Sequence, residues 1–258
     1  MIGATRPASR RLESLGMAEF HEIRRRILLA GAAGLFVPAA ARAAQAGKKE
    51  KGGGAGEEKE VGAVEDLMRE HGVLRRALLV YAETAPKLRA GGREVAADAL
   101  NRTAKLFRAF GEDYHERKLE EAHIFPAVRK HGGAASALVD VLKAQHDRGR
   151  EITDYVVAVT RRGSIGSAAA EPLAEALERF AVMYENHTAR EDTVVFPAWQ
   201  EALSEQQLHE LGEQFEAIEK QQFGGDGYED AVKQMAEIEQ TLGLADLGQF
   251  TAPPPPRA

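Results

Sequence analysis

From Val61 onward, apolar residues recur at three- and four-residue steps, the period of helices with one face turned to a core. The first such stretch carries Val64, Leu67, Met68, His71, Leu74, Leu78, Tyr81 and Ala85 in phase and ends at Pro86 and Gly91-Gly92. A second helix is predicted from Val95 to Ile124, with Leu100, Ala104, Phe107, Gly111 and Tyr114 inward and Pro126 near its end. A third, over Ala135 to Val159, aligns Leu138, Leu142, His146, Gly149, Thr153 and Val156, and Arg161 to Gly166 reads as a loop. In the fourth, Leu173, Leu177, Phe180, Tyr184, His187, Glu191 and Val194 are spaced 4, 3, 4, 3, 4 and 3. Ser204-Glu205-Gln206-Gln207 is a capping box that opens a fifth helix reaching Gln222, and Tyr228 to Leu242 predicts a sixth. The fold class expected is all-α: an up-down four-helix bundle over 62–203, with a helical extension over 204–244. A Pro-rich tail over 245–258 contains four consecutive prolines and should be extended.

The chain before Val61 has a different character. Arg24-Arg25-Arg26 precede a short apolar run, Ile27 to Val37, and Ala41-Arg42-Ala43 supplies a small-x-small cleavage site. Residues 1–43 therefore read as an export signal of twin-arginine type, starting at Met1 or Met17, which would place the mature protein in the periplasm without a stable membrane anchor. Residues 44–61 are Gly-rich and charged, a flexible linker. Cutting after Ala43 removes seven Arg and three Glu and takes the net charge from −6 to −10. An acidic chain without a dense basic tract is not built to bind nucleic acid. Cysteine is absent, so disulfides, thiolate nucleophiles and Cys-based metal sites are excluded, and any metal must be held by His, carboxylate, Tyr or water.

The chemistry lies on the apolar stripes, at positions that ought to be oily. His71 and His146 stand 75 residues apart, and His115 and His187 stand 72 apart. Two segments run from a His through an acidic pair to Phe-Pro: YHERKLEEAHIFPAV at 114–128 and YENHTAREDTVVFPAW at 184–199. The chain thus contains one helix pair written twice, each copy giving one His from its first helix and a His and a Glu from its second. Folding the copies together turns His71, His115, Glu120, His146, His187 and Glu191 to one axis. Buried carboxylates and imidazoles with no matching buried Lys or Arg call for another counter-charge, and two metal ions supply it. Oxygen and imidazole donors without sulfur suit iron, manganese or zinc.

Together these residues resemble the hemerythrin-like, or HHE cation-binding, family over residues 62 to 200. The resemblance implies a non-haem diiron centre bridged by Glu120 and Glu191, in a protein that binds dioxygen or a related small ligand, senses it, or handles iron and peroxide. Two features depart from the family's pattern. The residue four after His146 is Arg150 where oxygen carriers have another His, which leaves a position for an exogenous ligand and favours reactivity or sensing. A diiron oxidase or peroxidase-like enzyme, or a bundle that uses metal for stability or storage, are the competing readings. The second departure is that His115 and Glu120 are five residues apart, about 140° around a regular helix, so a π-bulge is predicted between Tyr114 and Glu121. A regular helix there would favour Glu116 or Glu121 in place of Glu120, and His123, three residues after Glu120, is a candidate extra ligand. Tyr81, Tyr114 and Tyr184 are expected in the core, with a hydrogen bond from one of them to the site.

Overall fold

A computed structural model describes residues 61–91 and 97–256. The predicted export signal and all but the last residue of the linker lie outside the described residues. Every regular element among those described is helical. Helix α1 spans Ala63–Arg89, with Glu65 and Asp66 in its first turn and Lys87 and Arg89 in its last, charges that oppose the helix dipole. Helix α2, Ala97–Leu106, runs into a π-helical segment, Phe107–Ile124, and then into α3, Phe125–His131. Pro126 does not end this rod: it sits in the first turn of α3, where a missing N–H costs least. The rod stops at Gly132, whose φ of 86° suits glycine. His131 is the last residue of α3.

A single turn, α4 (Gly133–Ser136), leads to α5, Val139–Thr160. Helix α6, Ser167–Arg190, continues through a second π segment, Glu191–Val195, into α7, Phe196–Glu201. The two Phe-Pro pairs therefore open α3 and α7 at matching points of the two halves. Ser204 caps α8, Glu205–Phe223, through the predicted capping box with Gln207, and α9 spans Gly227–Leu242. A 3₁₀ turn, Leu247–Phe250, precedes the tail, whose described residues 251–256 have no regular structure.

Helix α1 packs along α6, α2 against α5, and α5 against α6. The first π segment touches α1, α5 and α8. The inward residues include the predicted Leu67, Leu74, Leu78, Phe107, Leu142, Val156, Leu173, Leu177 and Phe180, and Trp199 is fully buried at the end where the Phe-Pro pairs lie. Phe223 of α8 packs on Phe110 and Tyr114, Phe215 stacks on Trp199, and α9 rests on α1 and α2.

The π segments position the site. A π-helix adds a residue to each turn, so residues five apart become neighbours across it. His115 and Glu120 are both buried, and His115 Nε2 lies 3.3 Å from Glu120 Oε1. The expected one-residue bulge is thus part of an 18-residue π stretch. The second π segment was not foreseen. It begins at Glu191, so His187 and Glu191 keep α-helical spacing while the residues after them are shifted by one.

Candidate metal centre

Four imidazoles meet in two pairs. His71 Nε2 lies 3.0 Å from His115 Nε2, and His146 Nε2 lies 3.1 Å from His187 Nε2. Glu120 stands between the pairs, 3.3 Å from His115 through Oε1 and 3.3 Å from His146 through Oε2. Glu191 faces it, with Oε2 3.0 Å from His187 and 3.6 Å from His71. Donor atoms of His71, His115 and Glu120 lie within 4.8 Å of one another, as do those of Glu120, His146, His187 and Glu191. The two carboxylates are wholly buried, and none of their four oxygens has a hydrogen-bond partner among the described residues. A carboxylate stripped of water and left without donors carries a penalty of several kcal/mol, which a cation on the same oxygens removes. The donor atoms therefore form two groups that share Glu120, each of a composition that fits a cation.

The outer nitrogens show how the rings are aimed. His71 Nδ1 donates to Asp192 (2.7 Å), His115 Nδ1 to Glu70 (2.5 Å), His146 Nδ1 to Glu121 (3.0 Å) and His187 Nδ1 to Gln145 (3.0 Å). An acceptor at Nδ1 fixes the proton there and leaves the Nε2 lone pair free to bind metal. Each acceptor is the sequence neighbour of a converging residue, yet orients a ring on a different rod. Glu70, beside His71, holds His115, and Gln145, beside His146, holds His187. Glu121, beside Glu120, holds His146, and Asp192, beside Glu191, holds His71. The aromatic rings follow the same exchange: Phe196 stacks on His71 at 5.3 Å and Phe125 on His146 at 5.4 Å.

Without metal the cluster is electrostatically strained. Burial pushes Glu191 well above the usual carboxylate range, and Glu120 beside it adds to the shift. Burial opposes ionisation of Glu120 too, but His115 and His146 outweigh it and hold that carboxyl well below its ordinary value. His146 is pushed up to about 10, because Glu116, Glu120 and Glu121 overcome its burial. Burial lowers His71, and it lowers His187 further with the help of His146. Protons thus take the counter-charge role unevenly, on some members of the cluster and not on others.

The hemerythrin HHE cation-binding domain model matches residues 62–199. The chain belongs to that family. Uncharacterized proteins of Mycobacterium tuberculosis and Mycobacterium bovis are each 43% identical to it over 192 residues, 74% of this chain and 74% of theirs. No solved structure matches the chain at a significant level.

Beside this hemerythrin-like cluster lies a second polar group that the hydrophobic pattern did not reveal. Arg150, expected to do no more than replace a ligand, is 8% exposed and donates to Glu116 Oε2 (3.0 Å), Glu121 Oε1 (2.5 Å) and Asp147 (3.0 Å). The expectation of no matching buried Lys or Arg is corrected by this residue, although its partners are Glu116 and Glu121 and not Glu120 or Glu191. Tyr184 donates to Glu116 Oε1 at 2.6 Å, the hydrogen bond anticipated from one of the core tyrosines. Glu121 is held down to about 2: burial opposes this, and His146 and Arg150 outweigh it. Glu112 is pushed up to about 7 by burial, against the hydrogen bond it accepts from Thr153. Gly149 lets this group close up, because a Cβ there would sit 2.1 Å from the Tyr184 hydroxyl. The signal for Arg150 was its phase: it follows His146 by one turn and so shares that ring's side of α5. His123 joins none of these clusters. Its ring packs on Phe215 at 5.5 Å.

Proposed function

We propose that this chain is an exported, periplasmic, non-haem diiron protein that binds dioxygen or a related small ligand, with α1, the α2–α3 rod, α5 and the α6–α7 rod arranged as an up-down four-helix bundle. The observation that carries this reading is the set of four oxygens on Glu120 and Glu191 that accept no hydrogen bond, buried among four inward-aimed Nε2 atoms. His71, His115 and Glu120 would hold one ion, and His146, His187, Glu120 and Glu191 would hold the other. Iron in both positions supplies a redox centre with affinity for dioxygen and peroxide. The rest is done by the chain: Asp192, Glu70, Glu121 and Gln145 keep each Nδ1 protonated, and Phe125 and Phe196 shield two of the rings from water.

A second reading, a diiron oxidase or peroxidase-like enzyme, is favoured by Arg150. With four imidazoles for two ions, the protein leaves room for an exogenous ligand to react. Metal analysis and absorption spectra after aerobic expression test both readings. Two irons per chain, with a ferric absorption that changes on reduction and returns on re-oxygenation, support ligand binding, whereas sustained peroxide turnover supports the enzyme. A colourless chain that retains one zinc sinks both. Export is tested by N-terminal sequencing of the protein from a periplasmic fraction, where cleavage after Ala43 is expected and an intact leader in the cytoplasm refutes it.

A further inference from the structure

A third set of donors lies next to the two already described. Glu116, Glu121 and His146 place ligand-type atoms within 4.8 Å of one another. Glu116 Oε2 is 3.9 Å from His146 Nδ1, and Glu121 Oε1 is 3.0 Å from it. Glu116 is as buried as the bridging carboxylates, but it is not orphaned like them. Its two oxygens accept from Tyr184 and from Arg150, and the same guanidinium nitrogen reaches Glu121. Lys143 adds only a 3.4 Å contact to the outer oxygen of Glu121, from a half-exposed position.

We infer that Arg150 determines the nuclearity of the centre: its guanidinium occupies a third cation position formed by Glu116, Glu121 and the outer nitrogen of His146, and so limits the chain to two metal ions. This rests on the diiron reading. A guanidinium is a permanent single charge with fixed, planar donors, and its displacement by a metal would leave it buried without a partner. Its presence also matters for the pair. If an ion took His146 Nδ1, that ring could no longer donate to Glu121, and the hydrogen bond that aims His146 Nε2 at His187 would be lost. Arg150 is in this sense a positioning residue that acts through Glu121.

Removing the guanidinium leaves two buried or half-buried carboxylates and a nitrogen facing one another, with Lys143 reaching the outer oxygen of Glu121 alone, the condition that recruits a metal ion. The test is native mass spectrometry and elemental analysis of chains loaded with excess zinc and then desalted. The wild type is expected to hold two zinc ions, Arg150→Ala three, and Arg150→Lys, which keeps a cation, two. Arg150→Ala combined with Glu116→Gln should return to two, which separates the new position from adventitious surface binding. Should Arg150→Ala fail to fold, Arg150→Gln preserves most of the side chain's bulk without its charge and is expected to hold three. Three ions in the wild type, or two in both neutral variants, overturn the inference. A wild-type ratio below two overturns the diiron reading on which it stands.

Discussion

Replacing Gly149 by alanine adds one methyl group to the middle of α5. Its ideal position lies 2.1 Å from the Tyr184 hydroxyl, 2.8 Å from Cζ and 2.9 Å from Cε2. On helix propensity alone the change is favourable by about 1 kcal/mol. The neighbour it meets is a stiff, buried ring held between Phe107 and Phe180, with its hydroxyl bonded to Glu116. Displacing such a ring costs about 1–3 kcal/mol in overpacking. Losing a hydrogen bond to a buried carboxylate costs about 1.5–3 kcal/mol more. After the propensity gain, the net expectation is roughly 1.5–5 kcal/mol of destabilisation, or about 3–20 °C in Tm for a chain of this size. Thermal unfolding followed by circular dichroism, in chelator so that metal load is held constant, measures it. Tyr184→Phe removes the atom in closest conflict, so the double variant should be less destabilised than the sum of the singles. A Gly149→Ala protein as stable as the parent would show that the ring has somewhere to go, and the argument for a locked Tyr184–Glu116 contact would fail.

Three further outcomes are expected. Because burial keeps Glu191 protonated in the metal-free cluster, Glu191→Gln should leave metal-free stability within about 1 kcal/mol of the parent, while the rise in Tm on adding metal shrinks sharply; a collapse of the metal-free variant counts against this. Asp66 and Glu219, which line a groove between α1 and α8, are raised to about 6 and about 7, each first by burial and then by neighbouring carboxylates including Glu70. Their folded values exceed their unfolded ones, so the folded state binds more protons and their contribution to stability is lost as pH rises from about 4 to about 7. Asp66→Asn with Glu219→Gln should flatten the denaturant midpoint across that window relative to the parent, and an unchanged slope refutes the assignment. Phe215 is the only fully buried side chain of α8, stacked on Trp199. Phe215→Ala should therefore expose residues 205–223 to limited proteolysis while metal content stays at the parental level, and loss of metal would instead make α8 part of the site.

Helix positions and the six converging side chains were legible because both depend on periodicity. Apolar residues at 3.6-residue intervals must share a face, so an imidazole or carboxylate in that register has to point inward. The five-residue gap between His115 and Glu120 even announced the π geometry, since no regular helix reconciles it. Its extent from Phe107 to Ile124 was not announced, because the hydrophobic pattern records which residues face inward and not how many backbone bonds shift to achieve it. Arg150, Glu116 and Gly149 were all singled out along the chain, but not the network they form together. Their roles arise from contacts between rods, and the period of one helix carries no information about its neighbour. Glu70, Gln145 and Asp192 were missed, and Glu121 was weighed as a ligand and not as an acceptor, although all four adjoin the residues already singled out, because each serves a ring on another rod.

The exchange of acceptors and rings between the halves makes each half depend on the other. Glu70 and Gln145 serve their own half, whereas Glu121, Asp192, Phe125 and Phe196 serve the opposite one. A half-length hairpin standing alone would own two histidines but lack the acid and the aromatic lid for one of them. Two identical hairpins meeting about a two-fold axis would each supply what the other lacked. The wiring is reciprocal between the halves, and they depart from each other where one has a neutral Gln145 and an arginine at 150 and the other an extra residue between its histidine and its carboxylate.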